Sequence, residues 1–292
     1  MKRFLIGLAI ISFALALWVG VTPSKQDSQV DKTEVVSRLQ DAHGIAVDRE
    51  NSARLYIATH TGLLAMMNDD KFVRISDARD DYMGFSAHPT NTDIFYTSGH
   101  SARSGNIGFQ KSIDGGKSWN KISNGASGPV DFHAMAVSQV DPKIIYGVNQ
   151  GQLQRSTDEG VSWELVQSAP DGIYALATSS GGEDIVYAAT SNGLQVSTDK
   201  GTNWVGLNLR ESISSVAVNP KDGQEILAFA VDRGLMRTSD GGKSWQKVDG
   251  YTTGLITQLA YDPQNVNVIY AINQSLEIHK TTDGAITWSK VR

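Results

Sequence analysis

Five copies of one eight-residue pattern, S/T-x-D-x-G/A-x-x-W, constrain this chain more than anything else in it. They occupy residues 112–119 (SIDGGKSW), 156–163 (STDEGVSW), 197–204 (STDKGTNW), 238–245 (TSDGGKSW) and 281–288 (TTDGAITW). The spacing of about 40–45 residues is the period of a solenoid or a propeller. Each copy reads as a stapled turn. Its Asp (Asp114, Asp158, Asp199, Asp240, Asp283) can accept backbone N–H groups of its own turn, the next glycine supplies a conformation other residues resist, and the Trp ring is buried between layers.

Alternating apolar residues and turn signals divide each repeat into four strands. In the third repeat these fall at 132–138, 144–149, 152–156 and 162–166, and equivalent first strands begin near His43, Tyr82, Ile173, Ile213 and Leu255. The expectation is an all-β chain forming a single β-propeller of six four-stranded blades over residues 41–292. Where the first blade would carry the pattern, the chain reads Met66-Met67-Asn68-Asp69-Asp70-Lys71-Phe72. Residues 34–39 read as one further strand at the ring closure, which leaves a seventh, incomplete blade open.

The N-terminus is a separate element. Lys2 and Arg3 precede an uncharged apolar stretch over residues 4–21, the order of an export signal, and the stretch is also long enough to span a membrane if it is not cut. Residues 1–24 are thus expected to be a signal peptide or membrane anchor and 25–40 a tether, placing the propeller outside the cytoplasm, secreted or in the cell envelope. The 292-residue chain contains no cysteine, which excludes disulfides, thiolate metal sites and a cysteine nucleophile. A net charge of −5 argues against a nucleic-acid partner.

The repeats are identified as Asp boxes, the motif of sialidases, sortilin-type receptors, xyloglucan-degrading hydrolases and photosystem assembly propellers. The chain also resembles, in its HGI, ATHTGL, SGH and DFHA stretches, exported bacterial Asp-box propellers named as glycosyl hydrolases. The resemblance covers the chain from His43 onward and implies the propeller fold. It implies little about activity, because in those families the boxes lie on turns away from the working site.

Topology singles out one face. In a four-stranded antiparallel blade the starts of first strands and the ends of second strands share a face. His43 and His133 open first strands, His60 and His100 close second strands, and all four belong to blades 1–3. Pairing Asp48 with Leu55 would set His43 opposite His60, and pairing Ala87 with Ile94 would set Asp81 opposite His100. An echo surrounds these positions: Asp41-x-His43, Asp81-x-Met83 and Asp131-x-His133, with Asp171-x-Ile173 carrying only the acid. Residues two apart in a strand point the same way, so each Asp can orient its His. Imidazoles backed by carboxylates suit a divalent transition metal, and Met83 admits copper. His88 and His279 fit no cluster and are expected to be structural.

Three functional readings are open at this level. One is recognition of a glycan, small ligand or envelope protein by His43, His60, His100, His133, Asp41 and Met83, with or without a metal on the four histidines. The second is a glycoside hydrolase using two carboxylates among Asp81, Asp131 and Asp171. The third is an assembly or docking factor. Sialidase chemistry is not expected: Val73-Arg74-Ile75-Ser76 lacks the proline of that family's Arg-Ile-Pro signature, and Arg155 and Arg237 immediately precede boxes. There is no G-x-S-x-G elbow, phosphate loop or H-E-x-x-H. A monomer is expected, touching membrane only through its N-terminal segment.

Overall fold

Six antiparallel sheets follow one another along the chain, each built from a contiguous segment. The computed structural model describes residues 34–101, 103 and 105–292, so the expected export segment and most of the tether lie outside the described residues. After β1 (Val35–Val36), blade 1 comprises β2 (Gly44–Val47), β3 (Arg54–Thr59), β4 (Gly62–Met67) and β5 (Lys71–Arg74). Blade 2 is β6 (Asp81–Ala87), β7 (Phe95–His100), β8 (Phe109–Ser112) and β9 (Asn120–Ser123). Blade 3 is β10 (Ala134–Val137), β11 (Ile145–Asn149), β12 (Gln152–Ser156) and β13 (Glu164–Leu165). Blade 4 holds β14 (Ile173–Thr178), β15 (Val186–Thr190), β16 (Gly193–Ser197) and β17 (Val205–Gly206). Blade 5 holds β18 (Ile213–Asn219), β19 (Asp222–Ala230), β20 (Gly234–Thr238) and β21 (Gln246–Lys247), and blade 6 holds β22 (Ile256–Tyr261), β23 (Ile269–Asn273), β24 (Ile278–Thr281) and β25 (Ser289–Lys290).

The first strands β2, β6, β10, β14, β18 and β22 touch in succession, and β22 returns to β2, so the ring closes with six blades and not seven. The extra strand expected over 34–39 is β1, and it begins no new blade. It adds to the outer edge of blade 1, Val35 opposite Val73 and Val36 opposite Phe72. This covers an edge that would otherwise expose unpaired backbone groups.

The five patterned turns join third to fourth strands and share one hydrogen-bond scheme. In the first, Ser112 Oγ donates to Asp114 Oδ1 at 2.8 Å and accepts the Gly116 N–H at 2.9 Å, while Ser118 N–H reaches Asp114 Oδ1 at 3.0 Å. The fifth repeats this with Thr281, Asp283, Ala285 and Thr287. Because these carboxylates accept several hydrogen bonds, their ionised form is favoured. The Asn203 backbone N–H and side-chain amide pull Asp199 down to about 2, and the Thr287 hydroxyl and N–H do the same to Asp283.

Each Trp of these turns packs into the apolar seam between its blade and the one before. Trp119 joins the blade 1–2 cluster, Trp163 the 2–3, Trp204 the 3–4, Trp245 the 4–5 and Trp288 the 5–6. Trp163, for example, lies edge-on to Phe109 of blade 2 at 5.1 Å and 4.9 Å from Phe132 of blade 3.

The sixth seam, between blades 6 and 1, has no such Trp. Its turn is a tight hairpin in which Asn68 and Asp69 adopt φ of 53° and 56°, a conformation that Asn and Asp tolerate better than most residues. Leu39, Leu55, Ile57, Met66, Tyr270 and Ile272 form the apolar contact there. Asp69 accepts hydrogen bonds from Tyr270 Oη and, at 2.6 Å, from Lys280 Nζ. Much of this ion pair's Coulomb gain is offset by desolvation, its side chains being only 12% and 27% exposed, whereas each buried Leu, Ile or Met contributes about 1.5–3 kcal/mol. The apolar cluster therefore closes the ring, and the Asp69 contacts fix its register.

Candidate functional site

The rim of the first face receives one residue from the same position of every first strand. In blades 4, 5 and 6 that residue is a β-bulge: Tyr174, Ser214 and Thr257 are the residues skipped in the ladder. Ser214 Oγ donates to the Ile256 carbonyl at 2.6 Å and Thr257 Oγ1 to the Ile272 carbonyl at 3.1 Å, so both hydroxyls serve the backbone. In blade 2 the skipped residue is Met83. In blades 1 and 3 the ladders begin at Gly44 and Ala134, leaving His43 and His133 just ahead of them, each tied in by its own N–H to Ala58 O and Val148 O.

The observed registers correct three sequence expectations. Val47, not Asp48, pairs with Leu55, which puts Thr59 rather than His60 level with His43. Asp48 stays level with Arg54, its N–H donating to Arg54 O at 3.0 Å, while its Oδ1 caps the turn by accepting the N–H groups of Glu50 and Asn51. In blade 2, Ala87 pairs with Phe95 rather than Ile94, yet the bulge at Met83 restores Asp81 opposite His100. In blade 4 the bulge makes Tyr174 the counterpart of His133, so Asp171 falls one residue outside the Asp-x-His echo. Asp171 is exposed in the turn before β14, and no hydrogen bond or ion pair among the described residues joins it to the histidines.

Four histidines and three carboxylates do converge across blades 1–3. The His43 and His60 rings lie with centroids 4.3 Å apart, tilted 39° to one another. Asp41 lies beneath both, Oδ1 at 3.6 Å from His43 Nε2 and Oδ2 at 3.4 Å from His60 Nδ1, and it also accepts the His60 backbone N–H at 2.7 Å. The other nitrogen of His60 is 3.7 Å from Asp81 Oδ2. Asp41, His43 and His60 each offer a donor atom within 4.8 Å of the other two, a grouping able to hold a metal ion. In the second group, Asp131 Oδ2 meets His100 Nε2 at 2.7 Å and His133 Nε2 at 3.0 Å.

The backbone sets these positions. Gly99 has φ of 153°, and a Cβ there would lie 1.9 Å from the Asp81 carbonyl oxygen, so only glycine lets β7 close onto the bulge that turns Asp81 and His100 together. A Cβ on Gly147 would strike the Phe132 ring at 2.5 Å. The absence of that Cβ seats Phe132 and with it the flanking Asp131 and His133. Asp131 N–H donates to Asn149 Oδ1 at 3.0 Å and Phe132 N–H to Ser98 Oγ at 2.7 Å. The loop after His100 braces the same segment through Asn106 Nδ2, which donates to the Pro129 carbonyl at 2.9 Å.

Burial holds His43 below the ordinary imidazole pKa; the neighbouring His60 pushes the same way, and Asp41 and Asp81 oppose it. His43 Nε2 is buried with no hydrogen-bond partner, as are Asp81 Oδ1 and Asp131 Oδ1. Met83 is half-buried and does not line the channel. His88 accepts the N–H groups of Thr90 and Asn91 on the opposite face, and His279 is 2% exposed beside Thr253 and Glu277. Both are structural.

The channel behind this rim is a cavity of about 490 Å³ that His43, His133 and Tyr174 line at the first face and Arg49, His88 and Gln139 at the other. Its wall between combines small strand residues such as Ala46, Ala136 and Ala177 with larger ones such as Phe85, Met135 and Leu259. Tyr174, 55% exposed at the mouth, is the residue sequence reasoning missed. Its signal was its place beside Ile173 in DGIYALAT, concealed by the bulge.

Neither a family model nor a curated protein matches the sequence. Solved structures do match the fold. The chain is similar to an ancestral GH74 enzyme (16% identity, TM-score 0.57), covering 82% of this chain and 36% of that one. It is similar to the GH74 xyloglucanase from Xanthomonas campestris (16%, TM-score 0.57), covering 86% and 54%. YCF48 from Cyanidioschyzon merolae matches at 16% identity and a TM-score of 0.54, over 89% and 85%. The chain thus spans about half or less of the GH74 enzymes' length, and at these identities the likeness establishes the β-propeller fold alone.

Proposed function

We propose that the first face of blades 1–3 binds a divalent cation between Asp41, His43 and His60 and uses it to hold a ligand at the channel mouth. The observation that carries this is His43 Nε2: a buried nitrogen, kept unprotonated by its surroundings, with no hydrogen bond and with Asp41 and His60 as its neighbours. A buried polar atom normally has a partner. Ligands of a tetrahedral ion with bonds of about 2.0–2.1 Å stand about 3.3 Å apart, and the Asp41 contacts at 3.4 and 3.6 Å are close to that spacing while too long for hydrogen bonds. Imidazole with carboxylate suits zinc and neighbouring transition ions, and Met83, standing off the channel wall, gives no support to copper in particular. Three protein ligands leave a coordination position for a ligand from the channel.

The charged-then-apolar N-terminus supports an extracytoplasmic location, which cell fractionation checks. Full-length, tag-free protein equilibrated with zinc, copper, manganese or calcium is expected to retain metal by elemental analysis and to lose it from this site on His43→Ala. Protein that retains none of the four ions retires the reading.

A second reading rests on a different observation. Asp81 and Asp131 each present a buried carboxylate oxygen without a partner, as a glycosidase pair would before its substrate arrives. The xyloglucanase likeness supports xyloglucan as the first glycan to screen. Turnover that Asp81→Asn or Asp131→Asn abolishes, with binding retained, would favour this chemistry; absence of turnover on a glycan that binds would remove it.

A further inference from the structure

The geometry points to a second cation site, formed by His100, Asp131 and His133, with Asp81 standing between it and the first. It extends the cation reading above but uses different ligands, so each site can fail alone.

The two groups follow one construction. Asp41, Asp81 and Asp131 each lie two residues before the rim position of their blade, and Asp81 and Asp131 each meet an imidazole from the end of the preceding blade's second-strand segment. For Asp81 that imidazole is His60, at 3.7 Å, and for Asp131 it is His100, at 2.7 Å. A relation repeated across two successive seams is a property of how the blades are set, not an accident of one rotamer. Asp81 also sits directly opposite His100 in the β6–β7 ladder, where side chains are near neighbours. It therefore borders both groups: His60 on one side, His100 on the other.

Hydrogen bonding leaves the second group incomplete. Two Nε2 atoms converge on the single oxygen Oδ2 of Asp131, while its Oδ1 is buried and has no partner, in a residue only 6% exposed. Both nitrogens must carry protons to satisfy that oxygen, and the other oxygen still goes without. A cation in place of the two protons takes both imidazole lone pairs and the carboxylate together. The two separations from Asp131 Oδ2, 2.7 and 3.0 Å, are near the roughly 3 Å between adjacent ligands at right angles on bonds of about 2.1 Å. A shared ion also needs the two imidazole nitrogens to close on one another, and His133, 62% exposed, has room to turn. The charges are compatible: with every imidazole neutral, the three carboxylates offset three of the four positive charges that two divalent ions bring.

The test is a zinc titration of full-length, tag-free protein stripped with chelator, read by elemental analysis and calorimetry. Two equivalents are expected for the parent. Asp131→Asn and His133→Gln should each bind one, held at Asp41–His43–His60, and His43→Ala should bind the other one. Asp81→Asn should weaken both steps, since it borders both groups. Asn conserves the shape of Asp131 and His133 is on the surface, so thermal melts matching the parent will show that the ring is intact. If a variant unfolds, His100→Gln repeats the measurement. A parent that binds one equivalent, removed by His43→Ala and untouched by Asp131→Asn, His133→Gln and His100→Gln, overturns the second site and leaves the first standing. A parent that binds none overturns both.

Discussion

Blades 1–3 and blades 4–6 are built to one plan yet differ at a single strand position on the rim. Blades 4–6 place hydroxyl residues there, and in Ser214 and Thr257 the hydroxyl satisfies a backbone carbonyl. This shows what the fold itself asks of the position. Blades 1–3 place His43, Met83 and His133 there instead, and in blades 1 and 3 the ladder starts after that position, leaving the imidazoles off backbone duty while Asp41 still accepts the His60 N–H. The imidazoles on the first half of the ring are therefore not imposed by folding. On the opposite face the comparison vanishes, because the stapled turns of blades 2–6 are near copies of one another.

The largest effect should separate the two halves directly. The double substitution His43→Ala/His60→Ala is expected to weaken zinc binding at the first site by more than about 100-fold, beyond the range seen when only an outer partner of a metal ligand is lost. Ser214→Ala with Thr257→Ala should leave it unchanged within error. Calorimetric titration of both proteins decides, and equal losses would mean that the rim acts as a whole.

A middle-sized effect should sharpen the separation of faces. Thr238→Val removes the buried hydroxyl that accepts the Gly242 N–H and donates to Asp240, at a cost of about 1–2 kcal/mol. Urea or thermal unfolding should register that loss while zinc affinity stays at the parent value. A change in affinity would show that the turns communicate with the rim.

The smallest effect is a pH slope. Asp199 and Asp283, both drawn down to about 2, release protons more readily when folded than unfolded. Their contribution is full above the ordinary Asp value of about 3.9 and is lost as pH falls toward 2. Melting temperatures between pH 2 and 5 should fall with pH in the parent and fall less in Asp199→Asn. Blade 1 has no such turn, so substituting Asp69 should disturb the closing seam without altering this slope in the same way.

Much of this was legible in the residues. The repeated turns set blade number and order because each needs its Ser or Thr, Asp and Trp at fixed spacing to satisfy its own hydrogen bonds and the neighbouring seam. The rim histidines were legible because strand direction alone places them on one face. What was not legible depended on contacts between distant segments. The turn that Asp48 caps sets Asp48 level with Arg54 and Val47 with Leu55, one step from the expected register. A bulge moves Tyr174 into the place assumed for Ile173. That Asp131 would meet His100 of the preceding blade required the spatial setting of two blades, about which spacing along one blade is silent.

The seam between blades 6 and 1 has a consequence for the order in which the molecule can be made. Five seams join segments that are neighbours in sequence, so each can form once the next blade has been synthesised. The sixth unites Asp69 with Tyr270 and Lys280, separated by 201 and 211 positions, and it must wait for nearly the whole domain. Non-local contacts are the slow ones to form. Until they do, Leu55, Ile57 and Met66 at the leading edge and Ile272 at the trailing edge remain uncovered, so the nascent chain passes through a stage with two sticky ends that stay open to other copies until they find each other.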